Sequence, residues 1–389
     1  MKNKLRKTYD VVIVGAGIQG LALAYNLARC GMPAVVVLDK SHVGSGASSR
    51  NGEMIRSAFA SEEWIRFFSK SIEIWETLAD ELDFNVMFTR CGYLVLASTV
   101  DELEACLTHV KLQKTFGLQT RLLNADEVVT LIPAINPMMV SGGILQPNGG
   151  FARHDAALWA YARAASRLNV EICPFTEVTD IVVRSGAVRA VKTSLGEIET
   201  DTIVNAAGGH AGRIAEMVGL NLPSQTYRLE MIATEPLKPF LPLALSSPHT
   251  LSYMHQSTRG EFVGGAEVKS LAPSKSLRSS LEATRDMAGK FIRLFPGLSN
   301  VRLMRQWAGI VDMAPDVSPV LGPVEEVDGF ILDCGWVYGF MGAPAAGKLL
   351  ADYISTGEIP LEIRPFGFER FRTGKLIRDS SLAVPSENL

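Results

Sequence analysis

The sequence predicts an α/β fold in which a Rossmann-like dinucleotide-binding unit is joined to an antiparallel-sheet α+β unit. Three observations predict it: a strand, glycine turn, helix, strand and acid over residues 10–39, a second glycine-rich strand end at residues 202–211, and a strand-rich stretch over residues 226–270. With 389 residues, 47% of them hydrophobic, the chain can bury one large core or two, and two lobes are expected.

The opening run reads Val11-Val12-Ile13-Val14, then Gly15-Ala16-Gly17-Ile18-Gln19-Gly20, a helical stretch to Arg29, a second apolar run from Ala34 to Leu38, and Asp39. Gly15 permits a tight turn, Gly17 a close backbone approach to a pyrophosphate, and Gly20 close packing of helix on strand. The helix start, with Ile18 and Gln19 in its first turn, offers free N–H groups and a positive dipole end to an anion. Asp39, followed by Lys40, stands where a carboxylate accepts hydrogen bonds from an adenosine ribose and repels a 2′-phosphate. FAD or NAD is the expected ligand. A βαβ turn whose glycines serve packing alone is the alternative.

A net charge of −3 without runs of like charge argues against nucleic acid and anionic membranes and for small-molecule chemistry. The five cysteines are scattered without a CxxC, so neither a disulfide framework nor a metal site is expected. Lys2, Lys4, Arg6 and Lys7 before the apolar run mimic a secretory signal, but cleavage there would remove the nucleotide fingerprint, and Gln19, Asn26 and four glycines spoil a membrane span. The reading is cytoplasmic.

Residues 41–56 form a Gly/Ser-rich loop in which Ser48, Ser49, Arg50, Asn51 and Gly52 can approach a diphosphate or a flavin ring. Arg56 follows apolar Met54-Ile55, so its fork either turns inward to grip a carboxylate or makes a surface salt bridge. Residues 61–84 carry a helical apolar stripe, residues 88–98 alternate as a strand, and residues 100–116 and 125–131 read as helices. After a turn at Gly142-Gly143, His154 opens a helix through Leu168, as a cap or as a ligand-facing side chain. Further strands follow, one starting at Val178 beside the nucleotide, and another ending in Ala206-Ala207-Gly208-Gly209 as a second close backbone approach. The nucleotide unit is thus discontinuous: residues 1–85, 150–225 and 300–389, with residues 86–149 and 226–299 forming the substrate unit.

Alternation puts Tyr253 and His255 on one face of a strand, where they cover a substrate or form a wet sheet face. A helix over residues 276–294 returns the chain to Trp307 and Gly309. The last glycine cluster, with Gly339, Phe340 and Met341, leads into a helix whose first turn suits Pro344. In a flavin site that helix end would stabilise negative charge on the pyrimidine edge as the ring accepts a hydride, and the second loop favours FAD over NAD because a free nicotinamide coenzyme needs no distant C-terminal segment wrapped over it.

These pieces carry a family resemblance. YDVVIVGAGIQGLALAY, SSRNGEMIR, LDFNVMF, GGFARHDAALWAYARAA, RQWAGIVDMAPDVSPVLG, DCGWVYGF and PFGFERFRTGKLI span nearly the whole chain. The chain resembles the D-amino-acid-oxidase-type FAD-dependent oxidoreductases, most closely the β subunits of heterotetrameric sarcosine oxidase. The resemblance implies a glutathione-reductase-type FAD domain, a substrate carboxylate held by Arg56, and an FMN at His154, joined covalently in its strong form, at the interface with a larger α-type subunit, so that the surface around His154 is expected to be apolar. It implies oxidation of a secondary amine or amino acid at the flavin, hydrolysis of the resulting imine, and electron transfer from FAD to FMN, with Met341 beside the substrate. Met341 replaces a lysine of sarcosine oxidases, and the loop before it is one residue shorter. Proline-, hydroxyproline- or opine-like substrates therefore stand beside sarcosine. A self-sufficient single-chain amine oxidase of the glycine-oxidase kind and a flavin scaffold without its own substrate are the rival readings.

Overall fold

The computed structural model describes residues 5–266 and 272–381; Lys2 and Lys4 of the basic start lie outside this range. Four wholly buried runs, Val11–Val14, Val35–Leu38, Ile203–Asn205 and Phe330–Cys334, form the centre of a six-stranded sheet. Strands buried on both faces need no polar alternation, which is why they read as continuous apolar segments. The order is Val320–Pro323, Phe330–Cys334, Ile203–Asn205, Val11–Val14, Val35–Leu38 and Glu171–Cys173, parallel except for the first pair.

Helices Ile18–Arg29 and Gly339–Thr356 pack against one another through small residues. A Cβ on Gly347 would stand 2.6 Å from the Ala22 carbonyl carbon, so only glycine permits this separation. Pro344 does not sit in the first turn. The helix begins at Gly339, because Tyr338 O already accepts from Gly342 N at 3.2 Å, and the proline forgoes its own ladder bond inside it. The aromatic stripe of Glu62–Leu82 buries Trp64, Phe67, Phe68 and Trp75 against this layer at the expected spacing.

The second sheet has eight strands, in the order Leu303–Met313, Gln225–Pro236, Glu261–Ala266, Ser252–Gln256, Ala244–Ser247, Tyr93–Ala97, Gly142–Gln146 and Arg121–Asn124. All pairs are antiparallel except Ala244–Ser247 with Tyr93–Ala97. Two differences from the sequence reading stand out. Leu303–Met313, grouped by sequence with the nucleotide unit, pairs along Gln225–Pro236 in this sheet. Gly142 and Gly143, expected as a turn, open a strand instead: a Cβ on Gly142 would meet Leu123 O at 2.4 Å and one on Gly143 would meet Val95 O at 2.5 Å, so the glycines admit close neighbours on both sides.

Caps set several boundaries. Thr99 with Glu102 and Asn124 with Glu127 form reciprocal capping boxes, and Ser280 accepts from Ala283 N, starting the Leu281–Leu294 helix later than expected. No helix among the described residues is long and apolar enough to cross a membrane, and the cysteines are free.

Candidate active site

The carboxyl ends of the parallel strands open onto a cavity of about 500 Å³ that runs from Asp39 and Lys40 past Gly15, Gly17, Ile18 and Gln19 to Tyr253 and Met341. Gly15 has φ +118°, and a Cβ there would lie 2.3 Å from Ala206 O. The turn and the neighbouring strand end therefore touch backbone to backbone. Gly17, which caps the helix with no side-chain partner, has only the Ser48 hydroxyl near its missing Cβ, at 3.0 Å. Ala207, Gly208, Val178 and Gly309 complete this wall.

Asp39 holds the cradle together. Its Oδ2 accepts from Ala16 N and its Oδ1 from Ser41 N, each at 2.8 Å, which leaves lone pairs on both oxygens for a ribose. Lys40 Nζ lies 3.0 Å from His210 Nε2 on the same rim. The 45–52 loop is stapled from within. Ser48 Oγ accepts from Ile18 N at 2.9 Å, Asn51 donates to Ser48 O at 2.7 Å, and Arg50 turns its head back to the carbonyls of Ser45 and Gly46. Gln19 donates to Gly339 O at 2.8 Å, tying the first glycine turn to the last one, while its buried Oε1 has no partner among the described residues.

At the far end stands Arg56, 4% exposed. Its guanidinium donates to Ala58 O at 2.9 Å and lies over the Phe59 ring at 4.1 Å, with Tyr93 and Tyr338 at 5.6 and 5.7 Å. It forms no ion pair among the described residues, and its buried Nε is unpartnered. The surface salt-bridge alternative is thus not what the fold builds. Sequence reasoning missed the aromatic cage, because Phe59, Tyr93 and Tyr338 are far apart in the chain. Tyr253 and Met341 also line the cavity, and the Met341 carbonyl accepts from Trp75 Nε1 at 3.0 Å. Gly52 and Gly265 leave room for the Tyr253 ring, which a Cβ on either would overlap.

Five expected residues lie off the cavity wall. Gly20 serves packing, since a Cβ there would meet Gly15 O at 2.1 Å, and the Ser49 hydroxyl packs beside Gly44. Trp307 donates to Arg50 O at 3.1 Å from outside the loop. His255, expected beside the substrate, is fully buried. It shares its strand face with Tyr253, but the Phe151 ring covers it at 4.2 Å and Glu53 Oε2 lies 3.4 Å from Nε2.

His154 is the fifth, and its surroundings differ from expectation. The ring is one-fifth exposed, with Nδ1 2.7 Å from Glu53 Oε1 but off the line of a hydrogen bond. Its neighbours Glu53, Arg153 and Asp155 are ionic rather than an apolar collar; Asp155 stands in the first turn of the His154–Arg167 helix, where an acid is favoured, and Arg153 bridges it to Glu53. Glu53 is the residue sequence reasoning passed over. It is buried, has φ +62°, and touches both histidines as well as the cavity. Burial alone would push its carboxyl up, but the His154 and His255 rings outweigh that and hold it well below the usual carboxylate range.

Two more acids on the wall were missed, although Asp333 inside the apolar run Phe330–Cys334 was a visible signal. Burial raises Asp312 to about 6, against a hydrogen bond from Gly335 N, and Asp333 to about 7, against one from Trp336 Nε1.

A glycine cradle at the ends of parallel strands, with a buried unpaired guanidinium at its far end, defines a dinucleotide-dependent oxidoreductase. The chain belongs to the FAD dependent oxidoreductase family, whose model matches residues 10–353. It is similar to sarcosine oxidase subunit beta of Rhodobacter capsulatus, at 35% identity over 97% of this chain and 92% of that one. The Arthrobacter sp sarcosine oxidase subunit beta is 34% identical over 97% of this chain and 95% of its own length. Among solved structures, L-proline dehydrogenase from P.horikoshii superposes with a TM-score of 0.92 at 29% identity, covering 96% of this chain and 100% of that one. The cradle that a side chain at Gly15 would fill, the helix start that has no side chain at Gly17 and the length of the cavity fit FAD.

Two outcomes follow from this geometry. Gly17→Val meets only the Ser48 hydroxyl but fills the phosphate space, so it is expected to fold with a modest loss of thermal stability, from the Ser48–Ile18 hydrogen bond and the poorer N-cap, and to purify without FAD; stoichiometric flavin in its absorption spectrum would refute the cradle. Glu53 has a depressed folded pKa, so its stabilisation is present above its ordinary value of 4.5 and is lost as pH falls below it. The stability gap between wild type and Glu53→Gln should therefore be widest near neutrality and close in acid, as read from urea midpoints across pH; a gap independent of pH would show that Glu53 is not held ionised.

Proposed function

We propose that the chain oxidises the CH–NH bond of a small secondary amino acid, sarcosine-, proline-, hydroxyproline- or opine-like, to an imine that water then hydrolyses. Arg56 carries this reading: a buried guanidinium, unpaired among the described residues and facing the cavity, is matched by a carboxylate. Bound FAD supplies the acceptor for the hydride. The residues do the rest by position. Arg56 clamps the carboxylate, and the rings of Phe59, Tyr93 and Tyr338 hold the guanidinium in one orientation while excluding water. Tyr253 and Met341 bound the space for the substrate carbon skeleton, and Met341 makes that space apolar. The helix from Gly339 directs its positive end at the same region. The likeness to sarcosine oxidase β subunits and to L-proline dehydrogenase supports this substrate class.

The same reading makes the chain the FAD-bearing subunit of a heteromer with a larger α-type partner and an FMN at His154. His154 supports it by carrying no hydrogen bond on Nε2 among the described residues, with Arg153 beside it for a phosphate. Among the described residues the FAD unit comprises 5–85, 150–225 and 300–381 without the strand Leu303–Met313, and the free cysteines support a cytoplasmic setting. A second reading, a single-chain FAD amine oxidase, draws on the ionic ring around His154, which is already paired within the chain.

Arg56→Met should keep FAD and lower kcat/KM for the amino acid by about 2–3 kcal/mol in transition-state terms. An unchanged kcat/KM would remove Arg56 from the substrate site. For the second flavin, the chain purified alone should carry FAD and little FMN, whereas the complex should yield FMN, and mass analysis of the denatured subunit should find any covalent adduct on His154. A complex without FMN, fully active with FAD alone, would decide for the single-chain reading.

A further inference from the structure

We propose that Asp333 is a cofactor-binding residue that holds a proton on Oδ2 and donates it in a hydrogen bond to an oxygen of the flavin-side half of bound FAD. The proposal rests on FAD as the occupant of the cavity and goes beyond it by assigning a specific donor.

Topology places Asp333. Phe330–Cys334 lies beside Ile203–Asn205, which lies beside Val11–Val14, whereas Asp39 follows the strand on the other side of Val11–Val14. A dinucleotide with its pyrophosphate on Gly15–Gly17 and its adenosine at Asp39 must send its other half toward Asp333. The side chain is 1% exposed yet lines the cavity. Oδ1 accepts from Trp336 Nε1 at 2.8 Å, while Oδ2 has no partner among the described residues. A buried carboxyl oxygen without a partner is costly, and a polar ligand group removes that cost.

The surroundings select the neutral form. Asp312, on Leu303–Met313, lines the same wall and accepts from Gly335 N at 2.8 Å. Neither acid forms an ion pair among the described residues: the Trp336 indole is the one polar group that meets Asp333, Lys275 and the Ser224 hydroxyl act on Asp312, and the Arg370 guanidinium is paired with Asp316. Bound FAD adds a diphosphate, a further negative charge near two buried acids. Burial already raises Asp333 to about 7, and a protonated carboxyl is a donor where a carboxylate is none.

The test titrates the full-length apoprotein with FAD by quenching of flavin fluorescence between about pH 5.5 and 8.5. Binding takes up a proton when the acid must be neutral, so Kd should be flat below neutrality and rise about tenfold per pH unit above it. Asp333→Asn supplies a permanent donor and keeps the acceptor for Trp336; its Kd should lie within about threefold of wild type at pH 6 and lose the alkaline slope. Asp333→Leu should bind FAD at least about 30-fold more weakly at pH 6. An alkaline slope retained in Asp333→Asn, or wild-type affinity in Asp333→Leu, would overturn the proposal. A wild-type Kd that is flat with pH would overturn it while leaving FAD in place; wild type that binds no FAD would overturn the cofactor assignment as well.

Discussion

The site depends on how closely two strand ends and a turn approach at Gly15. Gly15 N donates to Leu38 O at 2.8 Å and Ala206 N to Val14 O at 3.0 Å, so three neighbouring strands are knit together where the chain leaves the sheet. A Cβ at Gly15 would meet Ala206 O, and one at Gly20 would meet Gly15 O. With any side chain at either position, the first helix would be pushed off the strand and its free amides would point elsewhere. Asp39 then follows from register, since its strand pairs residue for residue with Val11–Val14 and its carboxylate closes on Ala16 N.

Around the short strand Met54–Ile55 the fold buries two charges and treats them differently. Glu53 is supplied with partners on every side. Asn51 Oδ1 accepts from its N–H at 2.7 Å, Ala152 N donates to its carbonyl at 2.9 Å, and two histidines and Arg153 face its carboxylate. Those bonds offset a left-handed backbone that costs a non-glycine residue roughly 1–3 kcal/mol. Arg56 has one carbonyl and three aromatic faces, enough to fix a plane but not to neutralise a charge. The contrast separates a structural ion from one kept for a ligand, because a buried charge left unpaired is otherwise selected against on energy alone.

Local patterns were legible and pairings were not. The glycine fingerprint and the Glu62–Leu82 stripe depend on neighbours a few residues away, whereas the course of Arg56 stayed open between cavity and surface until the fold buried it. His255 shows the limit: alternation correctly put it on the face of Tyr253, but only the distant ribbon Gly150–Phe151 decides that one residue meets the cavity and the other a ring. The sheet membership of Leu303–Met313 and the strand at Gly142 have the same origin, for both are set by partners remote in sequence. Pro344 misled because proline's preference for a first turn is weaker than the packing of a glycine- and alanine-rich helix against Ile18–Arg29.

The 45–56 loop joins these features into one body. Arg50 returns to its own carbonyls, Asn51 braces Ser48 and Glu53, Ser48 reaches the first helix, and Trp307 clamps the loop from the second sheet. Each staple removes freedom before a ligand arrives, so binding does not have to supply the cost of ordering the loop. Glu53 lies at the far end of these staples, one side of it on the cavity and the other against His154. The loop thus forms a frame that runs from the cavity to the His154 surface through one buried carboxylate, and the cavity and that surface are two sides of a single wall.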